Sequence, residues 1–202
     1  MKIVIVDYGM GNIASVQKAL DSIGIKSIIS NVISDFESSD YIILPGVGSF
    51  RQGMENLNKL GLDKILNNEI IIKKKPFLGI CLGMQLIASF GTEHGITKGL
   101  GWVKGEVNKI EEINFRVPHL GWNNLISIPS TFTEEFHNKD FYFIHSYHFE
   151  VENIKNIAAY VNYGKNYVAA VHNENIFATQ FHPEKSQDEG IGLIKKFINF
   201  HA

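Results

Sequence analysis

The chain has a single cysteine, two arginines and five prolines, and no apolar run approaches the ~20 residues that span a bilayer. One cysteine excludes an intramolecular disulfide framework and any cysteine-rich zinc site. The two arginines and seventeen lysines stand against 21 acidic residues, for a net charge of −2. That balance offers no basic stripe to nucleic-acid phosphates and no polybasic segment to an anionic membrane. The one basic run, Lys73, Lys74 and Lys75, reads as the solvated end of a helix. Asp7 interrupts the apolar opening MKIVIVD, so that opening does not read as a secretion signal. The expectation is a soluble cytoplasmic protein with no metal centre and no cofactor.

What is present is ordinary globular composition: 202 residues, 45% hydrophobic and 20% charged. It suits one domain over residues 1–202. Short apolar runs at 2–7, 25–30, 41–44 and 76–80 predict strands, with helices between them. Ile13, Val16, Leu20 and Ile23 recur at helical spacing after Asn12, which can cap that helix; a second helical stretch covers 63–74. Such alternation predicts an α/β fold with a mostly parallel central sheet and flanking helices. The second half reads as additional antiparallel strands, at 102–110, 125–128, 141–146, 157–162, 167–172 and 176–181, before a closing helix over 186–200.

Cys81 stands in Gly79–Ile80–Cys81–Leu82–Gly83, after a strand and before the helical pattern of residues 82–90. Glycines two before and two after a nucleophile are what a sharp strand–turn–helix elbow requires, because side chains there would collide. A helix N-terminus favours the thiolate, and the amide of Leu82 is expected to be free for an oxyanion. A cysteine nucleophile needs a base and a group to orient it. His182–Pro183–Glu184 offers both, since Pro183 biases His182 toward extended backbone and residues i and i+2 of a strand share a face. The other histidines carry less. His145 and His148 are expected on opposite faces of one strand, a poor metal site, His119 in a loop and His172 beside a turn as surface residues, and His94 and His137 in polar loops.

With G-I-C-L-G-M-Q at 79–85 and F-H-P-E at 181–184, the sequence resembles the class I (triad) glutamine amidotransferases. D-Y-G-M-G-N at 7–12, L-P-G-V-G-S-F at 44–50, V-P-H-L-G-W-N at 117–123, I-H-S-Y at 144–147 and H-P-E-K-S at 182–186 extend the likeness over nearly the whole chain. They narrow it to the glutaminase subunits of imidazole glycerol phosphate synthases. The resemblance implies that Cys81 attacks the side-chain amide of L-glutamine, that His182 handles the protons and that Glu184 orients His182. It implies an oxyanion hole from Leu82 and the Val47–Gly48 loop, and glutamine binding by Gln85, Glu93, Ser146 and Tyr147. It also implies a (β/α)8-barrel cyclase subunit as partner, with Asn12, Trp122, Tyr142 and Lys185 as candidate contacts. His94 and Lys104 depart from the common pattern, which has a second acidic residue and a proline there. Two alternatives are the glutaminase of pyridoxal phosphate synthase, which should carry G-G-E-S where this chain has P-G-V-G-S-F, and a cysteine hydrolase of the dienelactone type, whose acid and histidine lie on separate strands.

Overall fold

Residues of alternating direction in four short apolar runs bury both faces of a sheet, and that accounts for most of the architecture. The computed structural model describes residues 1–111 and 115–200; the rest of the expected 1–202 domain lies outside the described residues. In chain order the elements are β1 (Ile3–Val6), α1 (Ile13–Ser22), β2 (Ser27–Ser30), α2 (Ile33–Glu37), β3 (Tyr41–Leu44), α3 (Phe50–Lys59), α4 (Leu62–Leu66), β4 (Phe77–Ile80), α5 (Leu82–Leu86), β5 (Phe90–Gly91), β6 (Thr97–Lys98) and β7 (Gly105–Lys109). There follow β8 (His119–Ser127), β9 (Asp140–His145), β10 (Tyr147–Val151), β11 (Ile157–Tyr163), β12 (Lys165–Asn173), β13 (Ile176–Thr179) and α6 (Gln187–Phe200).

Among the described residues one sheet has nine strands in the order β2-β1-β3-β4-β13-β12-β11-β8-β9. Its first five strands pair in parallel and the remainder antiparallel, the expected mixed α/β sheet. Ile3 and Ile5 point into a core shared with Val16 and Leu20 of α1 and Leu193 and Phe197 of α6. Val4 and Val6 point the other way, onto Met54, Leu57, Leu66 and Met84 of α3, α4 and α5. This is the period-2 alternation of a strand buried on both faces. A second sheet, β10-β7-β5-β6, packs beside α5.

The differences from expectation have local causes. The sequence pattern shows no helix where α3 stands; the Ser49 hydroxyl accepts from the Gln52 amide as its N-cap, and Phe50, Met54 and Leu57 form its buried stripe. The helical stretch at 63–74 is α4 continued by a π-helical segment, Asn67–Ile72. That wider turn points Glu69 inward, where Lys73 (2.8 Å) and Lys75 (2.7 Å) meet its buried carboxylate. Lys75 also donates to the carbonyls of Phe36 and Glu37, so the basic run clamps α2 to β4 and is not simply a solvated helix end. Helix α5 ends at Leu86, well short of residue 90, and the strand expected at 102–110 is only Gly105–Lys109. In the other direction, 125–128 lengthens to β8, which takes in His119 and Trp122, and His145 and His148 fall on different strands. His119 is buried, not on the surface, and His172 is half-buried with its ring stacked on Phe177.

The site lies where the parallel strands end. Cys81 follows β4, and the neighbouring strand β13 leads through Gln180 and Phe181 to His182. Crevices at the carboxyl ends of parallel strands are the usual ligand sites of open α/β sheets.

Candidate active site

Cys81 has φ 53° and ψ −105°, a left-handed conformation that costs on the order of 1–3 kcal/mol for a residue with a side chain. Its surroundings hold it there. The Cys81 amide donates to Thr179 O (2.7 Å), and its carbonyl accepts from the amides of Met84 (3.0 Å) and Gln85 (3.2 Å). A Cβ at Gly79 would stand 2.9 Å from Gly83 O, and one at Gly83 would run into the Leu44 carbonyl. Both glycines are therefore obligatory, for the reason the sequence pattern suggests.

His182 and Glu184 converge on this elbow, and both side chains are fully buried. His182 has extended backbone, as expected before proline. Glu184, however, reaches it through a 3₁₀ turn, Pro183–Lys185, not along a strand; His182 Nδ1 donates to Glu184 Oε1 at 2.7 Å. This bond fixes the tautomer and leaves Nε2 to the sulfur. Burial alone would depress the imidazole, but the Cys81 sulfur and the Glu184 carboxylate outweigh it and raise His182 to about 10. A charged imidazole beside the sulfur can serve as the acid toward a leaving nitrogen.

A cavity of about 330 Å3 opens onto the sulfur, lined by Val47, Gly48, Leu82, Gln85, Glu93, Ser146 and Tyr147 among others. The structure thus brings together every residue expected for oxyanion and substrate binding. Glu93 accepts from the Phe50 amide (2.8 Å) at the start of α3, which anchors one carboxylate oxygen. Gln85 Nε2 donates to Tyr147 O and to Gln180 Oε1, both at 3.0 Å, so the Gln85 oxygen is the atom left to face a ligand. Among the described residues there is no cluster of three or more histidine, cysteine or acidic side chains able to hold a metal.

Comparison with known proteins agrees with this geometry. The model of the family described as glutamine amidotransferase class-I matches residues 4–199. The chain belongs to the class-I glutamine amidotransferases. The amidotransferase is 44% identical over 199 residues to imidazole glycerol phosphate synthase subunit HisH 1 of Campylobacter jejuni (strain RM1221), covering 97% of this chain and 98% of that protein. It is also 44% identical to the HisH subunit of Pelagibacter ubique (strain HTCC1062), over 98% and 100% of the two chains. Among solved structures, one described as a glutamine amidotransferase superposes with a TM-score of 0.77 at 18% identity, covering 98% of both chains. A glutamine amidotransferase from Thermotoga maritima gives 0.71 at 15% identity, over 100% and 97%. At those identities the structures bear on the fold alone.

Two features of the amidotransferase depart from the sequence expectation. The Leu82 amide is not free: it donates to Gly46 O at 3.3 Å, and the Val47 amide donates to Met10 O at 2.8 Å. Leu82, Val47 and Gly48 all line the cavity at the sulfur, yet the amide hydrogens of Leu82 and Val47 are engaged elsewhere. Asn12 is the second. It adopts a left-handed conformation before α1 and makes no side-chain cap. Its Nδ2 instead donates to Glu184 Oε1, beside His182 Nδ1. Asn12, half-buried, thus reaches the carboxylate that holds His182, a contact that only the G-N pair at a helix start hinted at. Trp122, Tyr142 and Lys185 do cluster at the surface, with Trp122 edge-on to Tyr142 (6.0 Å) and the Lys185 ammonium over the same ring (6.0 Å).

A histidine pair underlies the cavity wall. His145 Nδ1 lies 2.9 Å from Tyr147 O, His145 Nε2 lies 3.0 Å from His119 Nδ1, and His119 Nε2 lies 3.4 Å from Asn123 Nδ2. Tyr147 O can only accept, so His145 carries its proton on Nδ1 and His119 carries its own on Nδ1 in turn. Burial pushes His119 down to about 4 and His145 to about 3, so both stay neutral in the folded protein. From their ordinary 6.5 down to those values the unfolded chain binds protons the folded chain refuses, so stability falls as pH falls. His182 acts in the separate window above 6.5, its contribution fading as pH rises toward 10. Urea midpoints at pH 7 and 4.5 should show a marked acid loss that His119→Gln reduces; an unchanged loss would contradict the neutral assignment.

Proposed function

We propose that this amidotransferase hydrolyses L-glutamine to L-glutamate and ammonia through a thioester on Cys81. Its ammonia would pass to the (β/α)8-barrel cyclase subunit of an imidazole glycerol phosphate synthase, in histidine biosynthesis in the cytoplasm. The products there are imidazole glycerol phosphate and AICAR. The observation that carries the reading is a buried Cys81–His182–Glu184 set opening onto a cavity that holds a carboxylate, Glu93, for an α-ammonium group. The compact acid–histidine turn and the HisH relatives disfavour the dienelactone-type and pyridoxal phosphate alternatives.

The chemistry follows from the positions. The Cys81 thiolate adds to the carboxamide carbon of glutamine, forming a C–S bond and an oxyanion. His182 gives its Nε2 proton to the nitrogen, the C–N bond breaks, and ammonia leaves a thioester behind. Neutral His182 then takes a proton from water, which adds to the thioester carbon. The C–S bond breaks, restoring the thiolate–imidazolium pair and releasing the new carboxylic acid, which becomes glutamate by giving its proton to solvent. Glu184, held by Asn12, keeps the imidazole oriented throughout.

Ammonia in water at neutral pH is protonated and no longer nucleophilic, so a protected transfer needs a partner docked beside the cavity. The outer face of the edge pair β8–β9 suits one. Leu120 (59% exposed) pairs with Ile144 (37%), and Trp122 (49%) pairs with Tyr142 on the same face. Ile144 also lines the cavity. Co-purification with the cyclase and a glutaminase assay of the pair test the reading. In the same assay Trp122→Ala should weaken association by about 30-fold, the ~2 kcal/mol expected of an interfacial tryptophan. Unchanged affinity would remove Trp122 from the interface.

A further inference from the structure

Gln180 has no role in the chemistry described so far, yet it is fully buried and its side chain meets the nucleophile. Its Nε2 lies 3.7 Å from Cys81 Sγ. The orientation of this amide is dictated by its neighbours. Tyr147 O is an acceptor only, so the group Gln85 presents to it is the NH2. The second hydrogen of that NH2 requires an acceptor, which is Gln180 Oε1 at 3.0 Å. Gln180 is then left with its NH2 toward the sulfur. The same Tyr147 carbonyl receives His145 Nδ1, so its two lone pairs are both occupied and it is pinned from two sides. A thiol proton, by contrast, meets Ile144 O at 3.9 Å, a poor acceptor distance, and otherwise faces His182 Nε2, which accepts only while that imidazole is neutral. The amide array has a polarity: from the side away from His182 it offers the sulfur a donor.

We infer that Gln180 is a catalytic residue that donates an amide hydrogen to the Cys81 thiolate, with Gln85 and the Tyr147 carbonyl as the positioning groups that keep its NH2 turned to the sulfur. The inference rests on Cys81 being the nucleophile. Charge-assisted hydrogen bonds of this kind, buried from water, are stronger than neutral ones. The donor holds the thiolate in the elbow before attack and again when the thioester breaks. The titratable groups around the sulfur are His182, with Glu184 behind it, Tyr8, and Glu93, His145 and Tyr147 in the cavity wall. None of them is removed by changing Gln180.

The test reads the thiolate directly, through the pH dependence of Cys81 alkylation by iodoacetamide. Gln180→Met, close in length, removes the donor and should move the alkylation midpoint up by about one pH unit. Gln180→Glu turns an acceptor to the sulfur and should move it further. Turnover with glutamine should fall about 10- to 100-fold in Gln180→Met while KM stays within about twofold. A structural role would lower the thermal midpoint without moving the alkylation midpoint, and that result would overturn the inference. Failure of wild-type Cys81 to alkylate would instead overturn its assignment as nucleophile. A measurement without substitution covers the chance that the variants do not fold: the Gln180 side-chain amide resonances of the wild-type protein should titrate with the alkylation midpoint. Resonances that stay fixed across that midpoint would equally overturn the inference.

Discussion

Replacing Cys81 with alanine or serine is expected to abolish ammonia release from glutamine, by about 10⁴-fold or more, in a protein that still folds. The size follows from the constellation acting as a unit. His182 is charged because the sulfur and Glu184 flank it, and its buried Nε2 has no hydrogen-bond partner among the described residues. Without the sulfur the imidazole has nothing to activate, and no other cysteine exists to replace it. Folding should survive, because alanine fills the Cys81 position and the two glycines that permit the turn are untouched. Glutamine-like electrophiles should label Cys81 in the wild type. Removing Glu184 or Asn12 should cost less than removing Cys81 or His182, since orienting a base matters less than supplying the nucleophile or the proton. Steady-state ammonia release from Cys81→Ala, with circular dichroism to verify folding, decides the matter. Undiminished turnover would end the triad assignment.

The second large effect expected is low glutaminase activity in the isolated chain and a rise of about 10²- to 10³-fold or more with the cyclase bound and its acceptor site filled. Its cause is visible in two hydrogen bonds. Leu82 and the Val47–Gly48 loop should supply the oxyanion donors, but the amide hydrogens of Leu82 and Val47 point to Gly46 O and Met10 O. A missing donor costs about 10²–10³ in turnover. Rotation of the peptide between Gly46 and Val47 would withdraw the blocking carbonyl from Leu82 and turn the Val47 amide toward the cavity in one movement. A partner can drive that change only by binding the rotated form more tightly. Gly48, with φ 114°, supplies the backbone freedom the loop needs. Val47→Pro, which lacks the amide hydrogen, should therefore lower stimulated turnover far more than glutamine affinity. Equal rates for the free chain, the complex and the complex with acceptor would rule out coupling, and a change in affinity alone would make the loop a binding element.

The amino-acid sequence by itself determined the central parallel strands, the elbow and the two partners of the cysteine. These features are local or periodic: a buried strand shows as a short apolar run, a strained turn as two glycines, and His182 and Glu184 lie two residues apart. Even there the turn that joins them was 3₁₀ and not extended, because proline sets the residue before it more firmly than those after it. Only the tertiary structure decided what depends on contacts between distant segments. Asn12 reaches Glu184 across 172 positions, Gln85 reaches Gln180 across 95, and His119 reaches His145 across 26. No sequence spacing encodes such pairs, since the sheet order brings them together. The length of β8 was hidden for a related reason. Its inward positions hold histidine and its outward positions hold leucine and tryptophan, the reverse of a strand with one wet face. Whether a backbone amide is free is the least legible property of all, because every residue but proline carries the same N–H group. The direction of the Leu82 and Val47 amides is set by which carbonyls the fold places opposite them, Gly46 and Met10.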